Sequence, residues 1–298
     1  MKAPQAHAED AVSAEIVAIG NELLLGIVQD TNTHWLCAEI TRLGGAVRRA
    51  TLIPDDFAAI EETLSRALTA QRDLIVLTGG LGPTEDDMTM RALGTALNLD
   101  VAERSDALAM IERRYRELAK ARRVDQKALT PSRRKMAQLP EGAVPLFNPV
   151  GTAPGAVMEN GPSTIVVLPG VPSELKGIWA DSLQPYLDEL FAGVFYDERH
   201  LVVDVNDESG LAPLLKDVQS DWPQVYVKSR PRSFAEGQMV WVTLAMGGEQ
   251  TTVERTLADL AEELSQRLRE AGYPVREASS DASPERTEHR THEGGSLT

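Results

Sequence analysis

The chain has 298 residues, 42% hydrophobic and 25% charged, the balance of a soluble globular protein long enough for a sizeable core and more than one domain. Thirty Lys+Arg against 45 Asp+Glu leave a formal charge of -15, which excludes the basic surface that non-specific nucleic-acid binding needs but not a small anion held by backbone amides and metal. The single cysteine, Cys37, excludes an intramolecular disulfide and fits a reducing cytoplasm, and no run approaches the ~20 apolar residues of a membrane span.

Residues 1–13 are Ala-rich and polar without an apolar h-region, so they read as a disordered start rather than a secretory signal. A short strand is predicted from Glu15 to Ile19, then a loop over Asn21–Gly26. Asp30, Thr31 and Asn32 offer N-caps for a helix through Trp35, Leu36, Ile40 and Leu43, stopped by Gly44-Gly45. Cys37 falls on its apolar face and reads as a buried structural thiol. A strand from Val47 to Ile53 precedes Pro54-Asp55-Asp56, where Asp56 can cap a helix carrying Phe57, Ile60, Leu64 and Leu68. The run Leu74–Leu77 then leads through a glycine turn into an amphipathic helix over Met90–Leu97. Strands alternating with helices of this length imply βαβ units and a parallel sheet covered on both faces.

Further on, Ser105–Gln138 reads as helical and Arg-rich, with Arg133, Arg134 and Lys135 able to approach an anion. Two short strands, Val144–Phe147 and Gly155–Met158, flank a loop or hairpin, and Thr164–Leu168 is a buried strand before a helix from Glu174 to Leu190. Composition shifts at residue 191. From there to 275 the pattern reads β-α-β-β-α, a small α+β domain suited to packing or dimerisation, and its segment Arg230–Gly237 lacks the GxxG clamp of an RNA-binding module. Residues 276–298 are polar and read as a disordered tail.

The chemistry lies at strand ends. In Thr78-Gly79-Gly80-Leu81-Gly82-Pro83-Thr84-Glu85-Asp86-Asp87 the glycines let backbone N–H groups approach a ligand, and a helix follows whose N-terminus adds a positive dipole end. The turn is neither a Rossmann fingerprint, since Glu85 stands where the third glycine belongs, nor a Walker loop. Carboxyl ends of parallel strands share one edge, so Glu22, Asp55, Asp86 and Asp87 are expected to converge there. Clustered carboxylates repel unless a divalent cation such as Mg²⁺ neutralises them, and oxygen ligands favour Mg²⁺ or Mn²⁺ over zinc. The expected metal ligands are Asp55, Asp86 and Asp87.

Taken together, GNELLLG (20–26), IPDD (53–56), TGGLGPTEDD (78–87), NPVGTAPG (148–155) and LPGVPSE (168–174) resemble the competence/damage-inducible CinA family. Residues 14–190 are similar to the molybdopterin-binding domain of molybdenum-cofactor biosynthesis proteins, and 191–275 resembles the KH-type middle domain of CinA proteins. In full-length CinA proteins a nicotinamide mononucleotide deamidase domain follows. Only a largely polar tail remains after Tyr273, so that activity is expected to be absent. The resemblance implies an α/β, three-layer, mostly parallel sheet fold with a smaller α+β domain. It also implies metal-dependent hydrolysis of the pyrophosphate of ADP-ribose or a related dinucleotide to AMP and a sugar phosphate.

The aspartates that function in the molybdenum-cofactor relatives match Asp55 and Asp87, while Glu85 and Asp86 depart from that pattern and favour an added metal. Asp55, Asp87 and Glu22 are therefore the expected catalytic groups. Thr78, Gly79, Gly80, Gly82 and Thr84 are expected to hold the diphosphate, and Asn148, Gly151, Thr152, Pro169, Gly170 and Ser173 to frame the base or ribose. The expected partner is a small-molecule nucleotide substrate, with neither nucleic acid nor membrane, in a cytoplasmic homodimer. Two rivals are a molybdopterin or nucleotide binder without hydrolysis, and a scaffold with an idle pocket.

Overall fold

A computed structural model describes residues 11–278 apart from 123, 125–127, 206–207 and 235–236. The expected disorder at 1–10 and 279–298 falls outside the described residues. Two compact units divide the chain, one spanning Val12–Ala192 and the other taking the described residues from Gly193 onward.

The first unit runs β1 (Ser13–Ile19), α1 (Asn21–Leu24), α2 (Thr31–Arg42), β2 (Ala46–Ile53), α3 (Phe57–Thr69), β3 (Leu74–Thr78), α4 (Thr89–Leu97), β4 (Val101–Glu103), α5 (Ser105–Lys120), α6 (Pro131–Lys135), β5 (Gln138–Pro140), β6 (Val144–Leu146), β7 (Gly155–Asn160), β8 (Ser163–Leu168), α7 (Pro172–Ala180) and α8 (Gln184–Leu190). Its six-stranded sheet has the order β2-β1-β3-β8-β7-β6. The first four strands are mutually parallel, and β7 is antiparallel to both β8 and β6. Strand alternation sends Val17, Ile19, Ile75, Leu77, Ile165 and Val167 to one face, against Ile60, Leu64, Leu93 and Ile111. Ile16, Val76, Val166 and Leu168 go to the other face, against Leu36, Ile40, Leu175 and Trp179. Three layers result, as the patterning predicts: a mixed α/β fold around a mostly parallel sheet.

Local chemistry sets the element ends. Asp30 accepts from the Thr33 N–H at 3.0 Å and caps α2, and Asp56 accepts from the Ala59 N–H at 2.9 Å and caps α3. Glu15 of β1 is fully buried, and Arg66 of α3 and Arg72 both face its carboxylate.

Five expectations change. Residues 21–24 form the short helix α1 rather than a loop. The helix expected over 105–138 is broken into α5, α6 and β5, because Thr130 caps a new helix with Pro131 in its first turn and Met136 and Ala137 turn inward. The helix expected over 174–190 is two, since Pro185 can sit only in the first turn of α8 and Ser182 Oγ donates to the Phe147 carbonyl at 2.7 Å. Ordered structure also reaches past both expected ends. Val12 packs on the core and Ser13 opens β1, while residues 275–277 form the last strand of the second unit. Cys37 is half-buried rather than buried, and burial, then Asp30, raises its thiol above the ordinary range.

The second unit runs β9 (Phe195–Asp204), α9 (Ala212–Asp221), β10 (Tyr226–Phe234), β11 (Gly237–Gly248), α10 (Gln250–Glu270) and β12 (Val275–Glu277). Its antiparallel sheet has the order β10-β11-β9-β12. Leu201 and Val203 with Val240, Val242 and Leu244 alternate onto one face, where Leu257, Leu260 and Leu264 of α10 cover them. Among the described residues no helix is long and apolar enough to cross a membrane.

Leu64 is fully buried between α3 and the sheet. Leu64→Ala is expected to destabilise the chain by about 2–5 kcal/mol through the cavity it leaves, read as a lower urea midpoint at unchanged slope.

Candidate functional site

The strand order reverses at β1: the chain passes from β1 to β2 on one side, then returns to place β3 on the other. In such sheets the connections after the two central strands leave in opposite directions and open a crevice at their carboxyl ends. Here the crevice lies between Gly20–Glu22, after β1, and Thr78–Gly80, after β3. The segment after β8, Pro169-Gly170, shares the edge because β8 is parallel to β3. The loop from Asn148 to Ala153 reaches the same edge between β6 and β7.

The glycine turn is wedged into that edge. Gly79 has φ +108, its N–H donates to the Leu168 carbonyl at 3.0 Å, and a Cβ on it would stand 2.1 Å from the Ile19 carbonyl. Gly80 has φ +66, and a Cβ there would meet Thr89 Oγ1 at 2.2 Å. That hydroxyl donates to the Gly79 carbonyl at 2.9 Å and ties the turn to the start of α4. Only glycine fits either position.

Two hollows flank the turn, and their linings are of opposite character. One, of about 20 Å³, is lined by Gly80, Gly82, Asp87, Arg91, Lys135 and Gln138. It meets α4 at an N-terminus that has no side-chain cap and whose first amide, Thr89 N–H, donates to the Gly80 carbonyl at 3.3 Å, so the positive end of a helix and two cations border it. The other, of about 60 Å³, is lined by Glu22, Gln29, Asp30, Thr31, Asn32, Thr78 and Gly170 together with apolar residues, and that lining holds no Lys, Arg or His.

The expected site residues take varied places. Gly80 and Gly82 line the cationic hollow, with Asp87, whose Oδ2 accepts from the Thr84 N–H at 2.9 Å and the Thr84 hydroxyl at 2.6 Å. The Thr84 carbonyl in turn accepts from Lys135. Thr84 therefore holds the turn's shape rather than offering its hydroxyl to a ligand. Thr78 is buried and its hydroxyl donates to the Pro169 carbonyl at 3.1 Å, so it too is internal. The Gly79 amide is spent on Leu168, as given above. Gly170 lines the other hollow, where its carbonyl accepts from Asn32; Ser173 is exposed and Thr152 half-exposed.

Asn148, expected to frame a base or ribose, instead organises its own loop. Its Oδ1 accepts from the Val150 and Gly151 amides at 3.0 and 2.7 Å, and its Nδ2 donates to the Ala153 carbonyl at 2.8 Å and to Glu174 at 2.7 Å. Arg114 grips the same loop from outside through the Gly151 and Val150 carbonyls at 2.8 and 2.7 Å. Glu174 lies over Gly151, where a Cβ would stand 2.0 Å from its carboxylate. Burial raises the Glu174 pKa, against the opposing pull of Asn148 and Arg114.

The expected ring of carboxylates is not assembled. Among the described residues no group of three or more His, Cys, Asp or Glu is placed to hold a metal ion. Asp55 accepts from the Asn21 N–H at 2.8 Å, Glu22 lies over Gly20 in the acidic hollow, Asp86 is exposed, and Asp87 faces the other hollow. Asp55 and Asp87 each hold a local turn or helix start. The residues present do not fit a metal cage built by Asp55, Asp86 and Asp87.

Sequence reasoning missed Arg91, Asn32, Arg114 and Glu174 as site residues. Arg91 sits four positions beyond Asp87, a helical spacing that returns to the turn; Asn32 read only as a cap candidate. Neither has a signal of its own.

A three-layer α/β protein with a glycine turn at the reversal of its strand order is the class defined by these features. Residues 15–189 match the family described as "Probable molybdopterin binding domain", and the chain belongs to that family. A protein of Pyrobaculum arsenaticum is 42% identical over 224 residues, 75% of this chain and 82% of that protein. One of Aeropyrum pernix is 37% identical over 275 residues, 91% of this chain and 99% of that protein. A crystal structure of "the protein CinA with unknown function" from Thermoplasma acidophilum is 37% identical, covers 59% of this chain and 98% of its own, and superposes with a TM-score of 0.54.

Gly79→Ala is expected to cost roughly 2 kcal/mol or more, from left-handed backbone strain and collision with Ile19, measured by chemical unfolding. Glu174→Gln tests the buried carboxyl. Because its folded pKa is raised, its contribution to stability is full below the unfolded value and lost as pH rises through the folded one. Glu174→Gln escapes that loss, so its unfolding midpoint is expected to gain on the parent as pH rises from 4 to 8, by no more than about 1 kcal/mol given the partial exposure.

Proposed function

We propose that the chain binds a phosphorylated small molecule, pterin or nucleotide, with its phosphate in the hollow beside the glycine turn. One observation carries this reading. On a chain of net charge -15, Arg91, Lys135 and the uncapped start of α4 meet at a backbone that admits no side chain at Gly80. Amides and a helix N-terminus give a phosphate directional donors, and the two cations supply charge. The neighbouring acidic hollow repels phosphate, so the anion has one place to go. Membership of the molybdopterin-binding family supports a pterin-type or nucleotide ligand.

Hydrolysis of a dinucleotide pyrophosphate such as ADP-ribose, the reaction implied by resemblance to CinA, is the second reading. Asp87 favours it, because this carboxylate shares the cationic hollow and its place beside the phosphate suits orientation of an attacking water. No metal-borne step is assigned, since the carboxylates are not gathered for one.

Inorganic pyrophosphate is expected to raise the melting temperature, and Lys135→Ala and Arg91→Ala each to weaken its binding roughly tenfold. Incubation with ADP-ribose or FAD, with and without Mg²⁺ or Mn²⁺, separates the readings. AMP release that Asp87→Asn abolishes establishes hydrolysis; tight binding of molybdopterin without turnover establishes a binder. No protection by pyrophosphate would refute both.

A further inference from the structure

The acidic hollow at the strand-order reversal contains a polar group with nothing to bind. Asn32, in the first turn of the twelve-residue helix α2, is 8% exposed and lines the hollow. Its Nδ2 donates to the Gly170 carbonyl at 2.7 Å and lies 3.4 Å from Thr78 Oγ1. Its Oδ1 is buried and accepts no hydrogen bond. The amide cannot be turned over, because that would set Oδ1 against the Gly170 carbonyl, two acceptors in contact. An orphaned buried acceptor is costly and calls for a donor.

The rest of the lining narrows the donor. Glu22 and Asp30 add carboxylates, Asp30 Oδ1 already caps α2, and Gln29 and Thr31 add neutral polar groups. With no Lys, Arg or His to offset them, the two carboxylates oppose a phosphate or carboxylate in the hollow and suit an N–H donor. Leu23, Val28 and Pro172 add apolar surface suited to the face of a flat ring.

We propose that this hollow recognises the amino-bearing edge of an N-heterocycle, with Asn32 Oδ1 accepting the exocyclic N–H that an oxo analogue lacks. The inference rests on the reading of a phosphorylated pterin or nucleotide and deepens it. Adenine and pterin share this chemistry. The glycine turn lies between the two hollows, so a ligand seated at both has its phosphate on one side of Gly80 and its amino ring on the other. Asn32 is a specificity-determining residue in this arrangement, and Gly170 and Thr78 fix which of its atoms faces the ligand. A site that hydrogen-bonds an N–H rejects the analogue without it, because its own acceptor is then stranded.

Calorimetric titration of the full chain with two pairs tests this: ADP against IDP, and pterin against lumazine, each differing by amino for oxo. At least one amino compound is expected to bind 10–100-fold tighter than its oxo partner, and the pair that discriminates identifies the ring. Asn32→Ala is expected to bring that pair within about threefold while pyrophosphate binding is retained. Equal affinities within both pairs in the parent protein, or discrimination undiminished in Asn32→Ala, would overturn the proposal. Should Asn32→Ala fail to fold, the Asn32 side-chain amide resonances of ¹⁵N-labelled parent protein decide it: they are expected to shift with the amino ligand and not with the oxo one, and the reverse or no shift overturns it. Pyrophosphate binding in the parent separates the two claims. If pyrophosphate binds and neither pair discriminates, phosphate binding stands and only the ring assignment falls.

Discussion

The close approach of Gly79 to the Ile19 carbonyl governs the geometry around it. Strand β3 leaves the sheet between β1 and β8, and the chain can turn there only by pressing its backbone onto the end of β1 and donating its N–H to the end of β8. Any side chain would drive the two strand ends apart. With the turn so placed, Gly80 bears on Thr89, which fixes where α4 begins and which way its first amides point. Glycine here is less a source of mobility than a condition for contact between three strand ends.

A division of charge follows from that contact. The turn separates a hollow bearing Arg91 and Lys135 from one bearing Glu22 and Asp30, and it does so in a chain whose acids outnumber its bases by half. Cations gathered at one spot of an acidic protein give that spot a local field opposite in sign to its surroundings. The excess of acid elsewhere steers an anion away from the wrong places.

Much of the fold was legible in the residues. Apolar runs separated by amphipathic segments specify the parallel sheet, and Asp30 and Asp56 announce helix starts because a carboxylate before an apolar repeat satisfies free amides. The breaks were harder. Around 131 and 185 the helical period continues in the sequence, and prolines that a first turn tolerates look the same as prolines that end a helix. At the site, the glycine turn could be read because its residues have few other uses. Asn32 could not, because an asparagine after an aspartate looks like part of a cap; its orphaned oxygen exists only once Gly170 arrives from a strand end 138 residues away.

The dispersal of the carboxylates shows where a strand-end argument stops. Parallel topology does bring residues 22, 55 and 87 to one edge, as it must, but an edge is a line rather than a point. Along it, Asp55 is taken by the amide that opens α1, Asp56 by the start of α3, and Asp87 by the amide and hydroxyl of Thr84. A carboxylate oxygen that accepts a backbone N–H is committed to the fold before any ligand arrives. These acids are thus held apart one at a time, by the helix starts and turns that they shape. The same bonds leave Glu22 and Asp87 on opposite sides of the glycine turn, one beside an unsatisfied acceptor and the other beside two cations. Such a rim suits the ligand proposed above, one with two unlike ends.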